Sequence, residues 1–98
     1  MKRFWNKKIV WSQTKNELLK RTRDISFEDI LISISSKLFI KIEEKHFNKK
    51  FPHQKILYVE YNNYIYIVPF DEKKEEIFLI TIYPSYKKTI ELLRKGAK

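Results

Sequence analysis

The segment "QKILYVEYNNYIYIVPF", residues 54–70, constrains this chain more than any other part of it. Two runs rich in aliphatic and aromatic residues flank Asn62-Asn63, and asparagine tolerates the left-handed backbone that both central residues of a type I′ turn require. A two-residue turn fixes the register, so Tyr61 faces Tyr64 and Val59 faces Tyr66. Side chains alternate along a strand. One face of the hairpin therefore carries Leu57, Val59, Tyr61, Tyr64, Tyr66 and Val68, and the other Ile56, Tyr58, Ile65 and Ile67. Both faces are substantially apolar, so both need a cover.

The covers are sought in the flanking segments. "KIVW", residues 8–11, reads as a short first strand, and Thr14 with Glu17 stands at capping-box spacing at the head of a helix running to about Arg21. Ser26 and Asp29 cap a second helix, in which Phe27, Ile30, Leu31 and Ile34 recur at the spacing of one helical stripe. "KLFIKIEE" reads as a further strand. Beyond the hairpin, "DEKKEE" reads as a solvated turn and "IFLITIY" as a strand antiparallel to the second arm, stopped by Pro84. A last helix begins at Ser85, with Tyr86, Ile90 and Leu93 on one stripe and Gly96 at its C-terminal stop. The expected fold is α+β: an antiparallel sheet of about four to five strands ending in a three-stranded meander, with N-terminal helices and a C-terminal helix.

With 98 residues, 43% apolar and 15% aromatic, the chain suits one folded domain spanning residues 1–98. The single glycine, Gly96, excludes a glycine-rich phosphate loop, and the lack of cysteine excludes disulfides and thiolate metal sites. No apolar run is long enough to span a bilayer or form a signal h-region, so a cytoplasmic protein without membrane association is expected. Nothing in the sequence calls for a cofactor. Glu43 and His46 are spaced for one helical turn, but nothing completes a metal site around them.

Lys and Arg number 21 against 12 Asp and Glu, a formal charge of +9, which points to an anionic partner. The excess lies at the ends. Residues 1–23 hold eight Lys or Arg and one acid, residues 83–98 five and one, whereas residues 56–82 hold two and five. The stretch "KHFNKKFPHQK", residues 45–55, adds four lysines, both histidines, two phenylalanines and no acid. Cations interleaved with rings suit RNA, because phosphates need charge and unstacked bases need flat surfaces.

His46 and His53 are candidate general base and acid, imidazole being the side chain that exchanges a proton near neutral pH, or else loop-capping groups. Lys49, Lys50 and Lys55 are candidate phosphate contacts, or a solvated surface. Lys87 and Lys88 open the last helix against its dipole, and Tyr86 beside them could stack on a base. Lys87 also stands at pairing distance along the helix from Glu91. Tyr61, Tyr64 and Tyr66 form either a stacking platform or a packed aromatic ladder. Arg21 and Arg23 end the first helix and could reach RNA or an acidic partner. Trp5 and Trp11 read as core or partner-contact residues.

Segment by segment, "KIVWSQTKNELLKRTRDISFEDI", "HFNKKFPHQKILYVEYNNYIYIVPF" and "EIFLITIYPSYKKT" resemble the BrnT group of bacterial toxins, compact members of the RelE-like superfamily. The resemblance runs from Lys8 to Thr89 and is most specific at "ISFED", "FPHQKI", "YIYIVPF" and "YPS". It implies the toxin of a type II toxin–antitoxin pair, an endoribonuclease that cleaves mRNA, with or without the ribosome, and blocks translation. It further implies a RelE-like sheet with helices mainly on one side and a basic, aromatic side open to RNA. The antitoxin of such a pair has a ribbon-helix-helix part and an acidic docking segment, and promoter DNA is reached only through it. Cleavage in such toxins is metal-independent: a base takes the 2′-hydroxyl proton and cations stabilise the phosphorane. His53 and Lys55 lead the candidates for these roles, with His46, Tyr86 and Lys87 behind them, and Lys49, Lys50, Lys88, Tyr64, Tyr66, Arg21 and Arg23 as RNA contacts. Two positions depart from the pattern: Ile80 and Tyr86 stand where such toxins commonly carry a cation. A non-catalytic RNA- or protein-binding module using the same basic surface is the alternative.

Overall fold

The computed structural model describes residues 7–36, 38, 40–43 and 54–94. Its elements follow the order β1 (Lys8–Trp11), α1 (Gln13–Arg23), α2 (Phe27–Ser35), β2 (Ile40–Glu43), β3 (Gln54–Tyr61), β4 (Tyr64–Glu72), β5 (Glu76–Leu79), β6 (Tyr83–Pro84) and α3 (Tyr86–Thr89), the last continued by a π-helical turn, Ile90–Arg94. The sheet runs β1-β5-β4-β3-β2, with β6 also paired to β4. The fold is α+β, and the expected His46, His53, Lys49 and Lys50 roles, like those of Trp5 and Gly96, lie outside the described residues.

The β3–β4 hairpin has the register the sequence dictates, Tyr61 opposite Tyr64 and Val59 opposite Tyr66. Asn62 and Asn63 take φ of 54° and 61°. The third described residue with positive φ, Asp24 at 55°, ends α1 in the left-handed conformation. In a chain whose single glycine is Gly96, these left-handed positions fall to Asn and Asp, whose short polar side chains tolerate them.

On the first face of the sheet, Leu57, Val59, Val68, Phe70, Ile77 and Leu79 pack under Leu19 of α1, Ile25, and Phe27 and Ile30 of α2. Trp11 lies on Phe27, ring centroids 5.5 Å apart and planes 23° from parallel. The second face is covered as well. Ile56, Tyr58, Ile65 and Ile67 pack against Leu92 and Leu93 of the C-terminal helix. The expected open side is thus corrected: helices lie on both sides because the alternating hairpin is apolar on both.

Four further details differ from expectation. The first helix starts two residues earlier, capped by Ser12 (Lys15 N–H to Oγ, 3.2 Å) instead of Thr14, and runs to Arg23. β1 pairs parallel to β5, so the sheet is mostly and not wholly antiparallel. The "IFLITIY" run is broken. Phe70 pairs with Leu79, yet Ile67 pairs with Tyr83, a one-residue shift that places a bulge between β5 and β6. The extra residue lets Leu79 and Ile82, three apart, both enter the core. Finally, the widened turn at 90–94 rotates the helix so that Thr89, Leu92 and Leu93 face the sheet, while Tyr86 is 64% exposed.

Polar fasteners hold the helices to this sheet. Asn16, fully buried, accepts from Phe27 N–H at 2.7 Å and donates to Glu28 at 2.7 Å, tying α1 to the start of α2. Ser26 and Asp29 complete the expected capping box. Thr89 Oγ1, also buried, accepts from Ile65 N–H at 2.8 Å and donates to the Ser85 carbonyl, so the hydroxyl continues the ladder of β4 where β6 ends. Thr89→Val keeps the shape but strands the buried Ile65 N–H, and urea denaturation should show a loss of about 1–3 kcal/mol. Asn16→Ala should lose at least as much, since it strands the Phe27 N–H and leaves a cavity.

Candidate nucleic-acid interface

The described candidates fall at three places set by the strand pairing. Tyr64 and Tyr66 point to the first face near the turn, where Tyr66 meets Tyr61 at 6.1 Å and Tyr64 at 5.9 Å, both edge to face. This is a packed ladder: Tyr61 and Tyr66 are half-buried against the core, and the Asp29 carboxylate at the head of α2 adds its charge to the environment of the Tyr61 phenol. Burial is the chief cause that raises both phenols above their ordinary range.

The β6–α3 corner joins this ladder from the side. Pro84 pairs with Tyr66 and Tyr83 with Ile67, while the Arg23 guanidinium donates to the Ile82 carbonyl at 2.5 Å. Ser85 N–H then donates to the Ile65 carbonyl, and Ser85 Oγ accepts from Lys88 N–H, which caps α3. The next side chains are the exposed Tyr86 and Lys87, which line a shallow groove of about 430 Å³ with Ile90 and Glu91. Arg23, Tyr83, Tyr86 and Lys87 therefore lie along the β6–α3 corner, while Tyr64 and Tyr66 sit on neighbouring β4, on the face opposite Tyr83. Arg21, also exposed, lies on the last turn of α1 two residues before Arg23.

Lys88, expected as an RNA contact, is engaged in holding the helix down. Its Nζ lies 5.1 Å from the Tyr58 ring centroid and 2.8 Å from Glu91. The pair along the helix is thus Lys88 with Glu91, in place of the Lys87–Glu91 pairing considered from sequence. Tyr58 donates to Glu43 at 2.5 Å; burial, reinforced by that carboxylate, pushes its phenol far above the ordinary range.

Lys55 lies at the other end of the hairpin, about 20 Å from the turn at the usual rise per strand residue. Its Nζ is 2.7 Å from Glu72 Oε1, and Lys7 Nζ is 2.7 Å from Glu72 Oε2. The expected solvated turn is correspondingly shorter, because Asp71 and Glu72 belong to β4 and Glu76 to β5. Lys7, Glu72 and Tyr83 were not singled out by sequence. The signal for Glu72 was present in the alternation 64, 66, 68, 70, 72, which keeps it on the face of Lys55. Of the two positions that depart from the toxin pattern, Ile80 sits half-buried in the bulge and Tyr86 is exposed.

Among the described residues no cluster of His, Asp and Glu could hold a metal ion, and no helix is long and apolar enough to cross a membrane. The hydrogen bonds from Lys55 and then Lys7 hold the Glu72 carboxyl below its ordinary value near 4.5. A depressed acid stabilises the fold above its unfolded value and loses that contribution as pH falls through the folded one. Glu72→Gln should therefore be about 1 kcal/mol less stable than the parent at pH 7. In denaturation series at stepped pH that gap should close on acidification below 4.5 and stay unchanged toward alkaline pH. Compared with protein-family models, with curated proteins and with solved structures, the chain has no match.

Proposed function

We propose that this chain is a BrnT-like toxin, a cytoplasmic endoribonuclease that holds single-stranded RNA at the β6–α3 corner and is neutralised by a ribbon-helix-helix antitoxin with an acidic docking segment. The observation that carries the reading is that Arg23 of α1, held on the Ile82 carbonyl, lies beside the β6–α3 segment whose exposed Tyr86 and Lys87 line a shallow groove. That hydrogen bond brings together parts of the chain far apart in sequence, and the side chains there are the two kinds a single strand needs, cations for phosphate and a ring for a base. Exposed Tyr86 offers the freest stacking surface, and Lys87 beside it gives charge with reach. Arg23 is anchored by the Ile82 carbonyl, which fixes the plane of its remaining donors.

In this reading, cleavage uses the 2′-hydroxyl as nucleophile. An imidazole with an unperturbed pKa near 6.5 is suited to take that proton, and a second group returns one to the 5′-oxygen. His53 and His46 are the histidines of the chain and remain the candidates for those roles. The non-catalytic alternative draws support from one feature, the absence of a cation at both Ile80 and Tyr86.

Induced expression without an antitoxin, with 5′ ends of transcripts mapped over the first minutes, separates the two. New internal ends preceding growth arrest support the ribonuclease; arrest without them, or no arrest, supports the binding module. His53→Ala should relieve arrest while leaving the fold and antitoxin binding intact, and a fully toxic His53→Ala would remove that residue from the chemistry. For RNA binding, Tyr86→Ala should lose about 1–3 kcal/mol toward a single-stranded oligonucleotide. Its melting temperature should not move, because an exposed ring holds little of the core; unchanged affinity by fluorescence anisotropy would take Tyr86 out of the interface.

A further inference from the structure

Two ammonium groups converge on one carboxylate at the end of the sheet remote from the Asn62-Asn63 turn. Lys55 comes from β3, Glu72 from β4 and Lys7 from the residue before β1, and each nitrogen lies 2.7 Å from a different oxygen of Glu72. Lys7 is fixed further by donating to the Lys73 carbonyl at 2.8 Å. The side chains of Lys7, Lys55 and Glu72 are 21%, 28% and 26% exposed, so the cluster is held by its surroundings yet reachable from solvent. Asp71 and Glu76 alternate to the opposite face and do not share it. Among the described residues Glu72 is the acid shared by both ammonium groups, in a protein with a formal charge of +9.

A carboxylate and a phosphate present similar pairs of oxygens to cationic donors, and a phosphate carries more charge. A pair of lysines arranged around the first is therefore arranged around the second. We propose that Lys7 and Lys55 form a phosphate-binding site, and that Glu72 fills it in the free protein as an internal carboxylate which an incoming phosphate displaces. The site is separate from the β6–α3 corner and does not depend on the ribonuclease reading. Its ligand is either a free or terminal phosphate or the phosphodiester of an RNA backbone; the recognising chemistry is the same.

The test uses the full chain with its lysine ammonium nitrogens observed by NMR while inorganic pyrophosphate is added. The Lys7 and Lys55 signals should move first, ahead of Lys20 and Lys87. Glu72→Gln should bind pyrophosphate about tenfold more tightly than the parent, since a competing charge has been removed. Glu17→Gln, the same charge change on exposed α1, should gain less than about twofold. Adding Lys55→Ala to Glu72→Gln should abolish the gain. Uniform movement of all lysine signals overturns the proposal, as does an equal gain in Glu17→Gln or weaker binding in Glu72→Gln. Should Glu72→Gln fail to fold, the order in which the parent's lysine signals move decides alone. An unphosphorylated single-stranded RNA that displaces pyrophosphate from these two lysines identifies the backbone as the source; one that leaves it in place identifies a free or terminal phosphate. A protein that binds at this pair but cleaves nothing keeps the site and loses the ribonuclease, and the converse result does the opposite.

Discussion

Everything else in this molecule depends on two consecutive left-handed residues, Asn62 and Asn63. They set the register of β3 against β4, and register decides which face receives each side chain. A slip by one residue would turn Val59, Val68 and Phe70 away from α1 and α2 and would carry Tyr58 away from Lys88. The hairpin is apolar on both faces, so a slipped pairing would still bury carbon; the turn is what makes the two registers unequal. Mixed core and ladder residues such as Tyr61 and Tyr66 add to the selection, because their hydroxyl ends suit only the rim.

Onto that platform the helices are fastened less by bulk than by single polar groups in defined places. Asn16 joins α1 to α2, Asp29 accepts from the Ser26 N–H to close the cap of α2, and Thr89 supplies the acceptor that Ile65 would otherwise lack. Each satisfies a backbone donor that burial would leave stranded, which is why short elements suffice. The same economy shapes the candidate interface. The Arg23 guanidinium is held by the main-chain carbonyl of Ile82, between the bulge and β6.

The hairpin, its register, the Ser26 capping box and the Ser85 start of the last helix were legible in the sequence, because each rests on interactions between near neighbours. The bulge was not. "IFLITIY" is uniformly β-forming, and only the competing demands of Leu79 and Ile82 for one core break it. Nor could local pattern show that Lys88 faces Tyr58 while Lys87 stays exposed, since that follows from the widened π turn and the packing of Leu92 and Leu93. The Lys7–Glu72–Lys55 cluster is longer-range still, assembled from residues whose shared face appears only once β1, β3 and β4 are in place. The candidate residues named from sequence could not be divided there between the corner, the docked helix and the far end of the sheet, because that division rests on long-range pairing.

The parallel pairing of β1 with β5 joins Lys8 to Glu76 across α1, α2 and the whole β3–β4 hairpin. The first strand to be synthesised thus waits for almost the last before it has a partner, and closing so large a loop is slow relative to forming the hairpin between them. Assembly of this protein consequently has a built-in order, with β3–β4 as a seed and both chain ends arriving late. The tyrosine and arginine corner is built from those late pieces, α1 from one end and β6–α3 from the other. A surface capable of gripping an anionic strand would then be completed only after β6 and α3 have been made.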